Sequence, residues 1–192
     1  MLFNKCILIL SFFLVSCFSV DASKFPKHEV GISFSTISGT GLGYLLELDR
    51  WNAFQFTFMP FYSGDEPQKN DNLSLIGGIE YHRVLYRDFE HRFYLFGAAS
   101  IWYFEQHESM IINPNTDFEK EVILFDKDVY HNFGLGLGYM YNLNNVVSFD
   151  FNLGLQYQTS SNNSFHNYLE RIESGESSFL GLGGGVGILF HL

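Results

Sequence analysis

One short stretch constrains the fold of this chain more than any other. From Val147 to Gln158, large apolar side chains alternate with small or amide side chains without a break. A period of two residues is typical of a β-strand, because successive side chains point to opposite faces. The segment therefore predicts a strand with one uniformly apolar face, made of Val147, Phe149, Phe151, Leu153, Leu155 and Tyr157.

The opposite face of this strand indicates the environment of the strand. Its positions are Ser148, Asp150, Asn152, Gly154, Gln156 and Gln158, of which Asp150 alone is charged. A strand exposed to water usually carries lysine and glutamate on its polar face. Small and amide side chains suit a narrow barrel interior instead, with the apolar face turned to lipid.

The first residues predict a secretory signal peptide. Met1 to Lys5 is a basic start, Cys6 to Val15 is an apolar run, and small or tolerated residues precede a cut after Ala22. Residues 1–22 are then the leader and residues 23–192 the single barrel domain. An alternative stays open, because Leu14 to Cys17 resembles a lipobox that would make Cys17 a lipidated first residue.

Both cysteines lie in this leader, so the processed chain is expected to contain none. That excludes a disulfide framework, a thiolate metal site and a cysteine nucleophile. The formal charge of -10 argues against a nucleic-acid partner.

The alternation recurs in seven further segments, which predicts an all-β fold: an eight-stranded antiparallel up-and-down transmembrane β-barrel. Pro60 in the third segment predicts a bulge or strand end there. The fifth segment is apolar on both faces, and its outward choice is Phe93, Leu95, Ile101 and Tyr103. The other outward positions are Val30, Ile32, Phe34, Thr36; Leu42, Tyr44, Leu46, Leu48; Phe54, Phe56, Phe58, Tyr62; Leu73, Leu75, Ile79, Tyr81; Phe133, Leu135, Leu137, Tyr139, Tyr141; and Leu180, Leu182, Val186, Ile188, Phe190, Leu192.

The connections alternate in predicted length. Tight turns are expected at residues 49–51, 87–90 and 143–145, and long polar loops at 63–71, 106–127 and 160–176. Short turns at one end and long loops at the other are typical of outer-membrane barrels. A soluble lipocalin-like barrel is the alternative, but it would expose a face of glycine and amide side chains to water, which is a poor solubilising surface.

Four charged residues fall on inward positions: Glu47, Glu80, Arg92 and Asp150. His82 is placed beside them. An isolated buried charge is costly, so these groups should pair, and Asp150 is the predicted partner of Arg92. A polar plug that stiffens the barrel is the favoured interpretation, and a gated ion path is the alternative.

The long polar segments carry most of the acidity. They could bind divalent cations through oxygen ligands, and the candidate ligands are Asp117, Glu119, Glu121, Asp126 and Asp128. Their spacing does not match a calcium-binding loop, so a solvated loop is the favoured interpretation and no metal and no cofactor are expected. A further hypothesis is that these segments form a recognition surface.

The end of the chain, from Gly187 to Leu192, resembles the terminal motif of bacterial outer-membrane proteins. Gly187 is followed by alternating hydrophobic residues up to Phe190 and Leu192, where an aromatic last residue is usual. The resemblance implies recognition by the barrel-assembly machinery. With the eight strands, residues 23–192 resemble the small OmpA/OmpX-type class, which implies secretion to the periplasm, residence in outer-membrane lipid and a Gram-negative envelope.

Members of that class differ in role. The favoured function is a structural, adhesive or interaction role, and a narrow channel for small or hydrophobic solutes is an alternative. His107, Ser109 and Glu121 faintly resemble the histidine-x-serine pattern and later glutamate of lipid A deacylases, which implies a lipid A modifying hydrolase as a third possibility. The expectation is that the chain is not an enzyme.

Overall fold

A computed structural model describes the backbone at residues 27–65, 70–112, 120–166 and 171–192, and side chains at 28–64, 71–109, 124–165 and 174–192. The predicted signal peptide, with Cys17, lies outside these residues. In the described ranges there is no helix long and apolar enough to cross a membrane. The strands are β1 (Lys27–Ser35), β2 (Gly39–Glu47), β3 (Asn52–Asp65), β4 (Asn70–Arg87), β5 (His91–Ile112), β6 (Lys120–Asn142), β7 (Val147–His166) and β8 (Arg171–His191).

The strands form a closed antiparallel barrel in chain order. Each strand pairs with the next, and β1 pairs with β8 from Glu29↔His191 to Ser35↔Gly185, which closes the ring. The predicted eight-stranded up-and-down architecture is therefore confirmed.

The polarity of the barrel is apolar outside and polar inside. On β7, Leu153 is 63% exposed, whereas Asp150 on the opposite face is 2% exposed. The outward choice on β5 is confirmed as well, because Phe93, Leu95 and Ile101 are exposed while Tyr94 between them is fully buried. A barrel that folded in water would bury the apolar face instead.

The turns at one end match the prediction to within a residue, but the predicted long loops are wrong. Pairing continues to Asp65↔Asn70, to Ile112↔Lys120 and to His166↔Arg171. Most of each predicted loop is thus a tall hairpin. A backbone ladder needs no apolar side chain, so apolar alternation alone marked only the part of each strand that has an apolar face.

The prediction of a bulge or strand end at Pro60 is also wrong. Pro60 pairs with Leu75 in unbroken register, and β3 continues to Asp65. Pairing between β2 and β3 ends at Phe58, so beyond that point β3 has a neighbour on one side only. Proline is tolerated at such an edge, because no ladder hydrogen bond is lost there.

The strands differ greatly in length. β1 and β2 have 9 residues each, whereas β5 has 22 and β6 has 23. Among the described residues, the wall above the β1–β2 hairpin therefore consists of β3 to β8. We call this gap the notch; it is bounded by Met59 to Gly64 of β3 and by Ser174 to Gly183 of β8, which do not pair with each other in the described registers.

Candidate functional site: the barrel interior

All four charged residues assigned to the interior are buried there. Glu47, Glu80 and Arg92 are each 1% exposed, and Asp150 is 2% exposed. They project inward from β2, β4, β5 and β7, in the half of the barrel next to the short turns. His82, on β4 beside Glu80, is fully buried.

Arg92 is held by two carboxylates. Its Nη2 donates to Glu47 Oε1 and lies 3.4 Å from Glu29 Oε1. Arg87 Nη2 donates to the same Glu47 carboxylate, at 2.7 Å from Oε1 and 3.0 Å from Oε2. Glu47 therefore lies between two guanidinium groups, which is the compensation that a buried carboxylate requires.

The predicted pairing of Asp150 with Arg92 is wrong. Asp150 Oδ1 instead accepts a hydrogen bond of 2.6 Å from the Tyr94 hydroxyl. Arg92 is drawn to β1 and β2 because Glu29, which was not among the predicted interior charges, supplies a second carboxylate there. A guanidinium between two carboxylates gains more electrostatic stabilisation than one beside a single carboxylate.

A second group of polar side chains is centred on Glu80. His82 Nε2 lies 2.7 Å from Glu80 Oε1, and Asn152 Nδ2 donates to Glu80 Oε2 at 3.4 Å. The His82 ring stacks on the Tyr94 ring with their centroids 4.0 Å apart. Tyr94 thereby connects this group to Asp150. We call the residues of both groups the charged layer: Glu29, Glu47, Glu80, His82, Arg87, Arg92, Tyr94, Asp150 and Asn152.

The end of the barrel with the short turns opens into a cavity of about 370 Å³. It reaches Glu29 and Arg87, so the charged layer borders it from above. Asp88 lies at its edge, and the pKa of that exposed carboxyl is lowered because the backbone N–H of His91 and the Tyr86 hydroxyl donate to it. Other lining residues are His28, Asn142 and His191.

The opposite side of the charged layer is covered by the β1–β2 turn. This turn, residues 36–38, folds into the lumen, and Ile37 is fully buried. Ser100 Oγ donates to the Ile37 carbonyl at 2.8 Å, and Gln156 Nε2 donates to the Thr36 carbonyl at 3.0 Å. We call this turn the cap.

Glycines on the surrounding strands make room for the cap. A Cβ at Gly183 would lie 2.6 Å from Ile37 Cγ1, and a Cβ at Gly134 would also overlap the Ile37 side chain. At Gly78 a Cβ would overlap the Ser38 carbonyl oxygen. Gly134 of β6 and Gly183 of β8 thus form part of the socket into which Ile37 packs, and their lack of side chains is a packing requirement.

Sequence reasoning missed several interior residues. Glu29 precedes Val30 by one position, so the alternation of the first strand already placed it inward. Alternation alone does not place Arg87 inward. A register shift between Val84 and Tyr86 changes the face on which the end of β4 presents its side chains, and this brings Arg87 to Glu47. That bulge had no clear mark in the sequence.

The residues of the hydrolase hypothesis lie on the tall β5–β6 hairpin. His107 Nε2 is 3.3 Å from Glu105 Oε1, and the His107 ring packs against Phe125 with centroids 4.8 Å apart. Ser109 is two positions further along the same strand, and Glu121 pairs with Ile111 across the ladder. The Glu121 side chain lies outside the described residues, so the triad remains a hypothesis.

The predicted cation ligands are only partly described. Asp126 and Asp128 pair with Gln106 and Phe104, which places them on the inward face of the hairpin. Asp117 and Glu119 lie outside the described residues, as does the Glu121 side chain. Within the part of the chain that the structure describes, no group of three potential metal ligands occurs.

The predicted assembly signal lies at the edge of the short-turn end. Gly187 is buried opposite Asp150, Phe190 is 45% exposed on the outer face, and Leu192 is 80% exposed. The Leu192 amide donates to the His28 carbonyl at 2.9 Å. Recognition by the assembly machinery stays a prediction.

Comparisons with known proteins gave structural matches only. No protein-family model and no curated protein sequence matches the chain. A major outer membrane protein from Thermus thermophilus is 12% identical, with a TM-score of 0.49 over 88% of this chain and 100% of that one. Acinetobacter baumannii CarO is 10% identical, with a TM-score of 0.37 over 88% of this chain and 98% of that one.

The chain has the architecture of the small outer-membrane β-barrel class. Its eight antiparallel strands close into a ring, its exterior is apolar, and its interior is polar. That inverted polarity is the property that separates such barrels from soluble ones of the same strand number.

Proposed function

We propose that this chain is an integral outer-membrane protein with a closed lumen, and that its role is structural or adhesive. The observation that carries the proposal is the outer surface. Large apolar side chains are exposed around the whole ring, with Leu42 at 70%, Leu135 at 66% and Leu182 at 75% exposure. A continuous apolar surface of this size is compatible with lipid and not with water.

The height of this surface supports a membrane position. On β8 the outward apolar residues run from Leu180 to Phe190. At about 3.3 Å per residue and a strand tilt of about 40°, that stretch rises about 25 Å, which is the height of the apolar band in outer-membrane barrels. We call the part of the outer surface at this height the apolar band.

Two obstacles in series favour a closed lumen over a channel. The cap fills the centre of the barrel with Ile37, and the charged layer fills the section below it. Eight strands leave an interior just wide enough for side chains, so neither layer leaves an open path. This favours the structural role over the alternative of a narrow channel for small or hydrophobic solutes.

The tall β5–β6 hairpin supports an interaction role. It rises from the side of the barrel opposite the notch, and its described part carries Glu105, Glu108, Asp126 and Asp128 against Lys127. The backbone ladder continues to Ile112↔Lys120 and makes it a paired structure. An acidic hairpin of this kind suits a basic partner surface at the outside of the cell.

Replacing Leu153 by arginine tests the membrane position. In lipid vesicles this outward residue lies near the middle of the apolar band, so the free energy of unfolding is expected to fall by about 2–4 kcal/mol. In a soluble barrel, arginine at an exposed position would cost almost nothing. Urea unfolding measured by tryptophan fluorescence gives the difference. The matched control is Asn163→Arg on the same strand, above the band, which should be neutral; equal effects of the two variants would contradict the proposal.

The closed lumen is tested by electrical recording. Purified protein inserted into planar bilayers is expected to give no steady conductance at high protein load, although it migrates in its heat-modifiable folded form on gels. Insertion is verified by protease protection of the protein in vesicles of the same lipid. Discrete, reproducible channel openings from the folded form would favour the channel alternative and refute a closed lumen.

A further inference from the structure

The notch makes the upper lumen accessible from the side. Pairing between β1 and β8 ends at Ser35↔Gly185. Two bonds of 3.1 Å follow, from the Thr36 amide to the Gly184 carbonyl and from the Gly184 amide to the Thr36 hydroxyl. Above this point, the edges of β3 and β8 are separated by the space that a longer β1–β2 hairpin would fill. Three strand spacings of about 4.8 Å would make that opening about 14 Å wide.

The lower part of the notch lies within the apolar band. Leu182 and Leu180, which are 75% and 72% exposed, are outward residues of the β8 edge above Gly184. From Gly184 to Leu180 the strand rises about 10 Å at the spacing and tilt used above. If the band is in lipid, this section of the opening is therefore in contact with hydrocarbon chains and not with water.

The inner surface behind the notch is largely apolar. By register, Met59 and Phe61 of β3 and Phe179 of β8 point inward, yet Phe61 is 57% and Phe179 is 55% exposed. Beside them, Ile76 of β4, which is 5% exposed, pairs with Met59. Trp102 of β5 pairs with Ile76, and its indole Nε1 is buried without a hydrogen-bond partner. We call these five residues the upper chamber; its β7 side is polar, with Gln158 and Ser160.

The two strand edges that border the notch are polar because of their backbone groups. From Met59 to Phe61 on β3 and from Gly183 upward on β8, the backbone groups on one side have no neighbouring strand in the described residues. Unpaired backbone groups are strongly unfavourable in hydrocarbon. A ligand with an apolar chain and a polar linkage would satisfy both the apolar chamber and these edges.

We propose that the notch binds an acylated membrane lipid, with one hydrocarbon chain in the upper chamber and its ester or amide linkage at the strand edges. The proposal rests on the membrane position proposed above. It commits to lipid because the chamber is continuous, through the notch, with the apolar band that lipid covers. The cap forms the floor of the site, so the chain enters sideways and does not pass through the barrel.

Lipid accessibility of spin labels separates this proposal from the one on which it rests. Both cysteines of the sequence, Cys6 and Cys17, lie in the predicted leader. In the chain without this leader, Phe61→Cys, Leu182→Cys and Asn163→Cys can therefore each carry one label in phosphatidylcholine vesicles. Collision with oxygen reports lipid, and collision with a water-soluble nickel chelate reports water. We expect oxygen to dominate at positions 61 and 182 and nickel to dominate at position 163.

Each outcome has a distinct meaning. Nickel dominance at position 61, or accessibility to neither reagent, with oxygen dominance at position 182 would overturn the lipid site and leave the membrane position intact. Nickel dominance at position 182 would overturn the membrane position itself. The unaltered protein provides a second measurement: a lipid with a photoreactive group at the end of its acyl chain should label Phe179 or Trp102, and labelling confined to outward residues would contradict the proposal.

Discussion

Replacing Arg92 by methionine is expected to lower the free energy of unfolding by about 3–5 kcal/mol, because it leaves the buried carboxylate of Glu29 without a guanidinium partner and that of Glu47 with Arg87 alone. Arg92 is 1% exposed and lies between Glu29 and Glu47, which are 2% and 1% exposed. Urea unfolding of the protein folded in lipid vesicles measures the loss.

Two matched variants make this result specific. Arg87→Met removes a guanidinium that is 16% exposed and leaves Arg92 on Glu47, so its effect should be clearly smaller. Adding Glu29→Gln and Glu47→Gln to Arg92→Met removes the uncompensated charges and should restore part of the stability. Equal losses for the two arginine variants, or no recovery in the triple variant, would show that Arg92 acts through packing alone.

The sequence predicted the parts of the fold that follow from alternation. The apolar band of β7, from Val147 to Tyr157, needed no other information, because lipid on one side and a narrow lumen on the other impose a strict period of two. Where that constraint ends, prediction failed. The paired strands above the band, such as Gln106↔Asp126, carry no apolar periodicity and were interpreted as loops.

The interior was predictable in its residues but not in its contacts. Alternation identified Glu47, Glu80, Arg92 and Asp150 as inward residues. Which carboxylate reaches Arg92 depends on strand register, and the contact between Arg87 and Glu47 depends on the bulge in β4. The cap depended on the tertiary fold as well. Residues 38–40 form a short connection between the first two alternating segments, and nothing local shows that Ile37 turns inward.

The cap yields the second large expected effect. A Cβ at Gly78 would overlap the Ser38 carbonyl oxygen and lie 3.0 Å from Ser100 Cβ, so Gly78→Leu should push the cap out of its socket. The hydrogen bonds from Thr57 to Ser38 and from Ser100 to Ile37 would then be lost. Overpacking of this kind costs about 1–3 kcal/mol, and the backbone contact places Gly78→Leu toward the upper end of that range.

The neighbouring glycine provides the control. Gly77 points outward, and a Cβ there meets its nearest atom, Phe58 Cδ2, at 4.0 Å, so Gly77→Leu should cost little in lipid. Displacement of the cap is read from a cysteine at position 37 in each background. Because Ile37 is fully buried, the cysteine of Ile37→Cys should not react with a water-soluble maleimide when it is combined with Gly77→Leu. Combined with Gly78→Leu, the same cysteine should react. Equal reactivity in the two backgrounds would mean that the inward glycine is not what keeps the cap in the lumen.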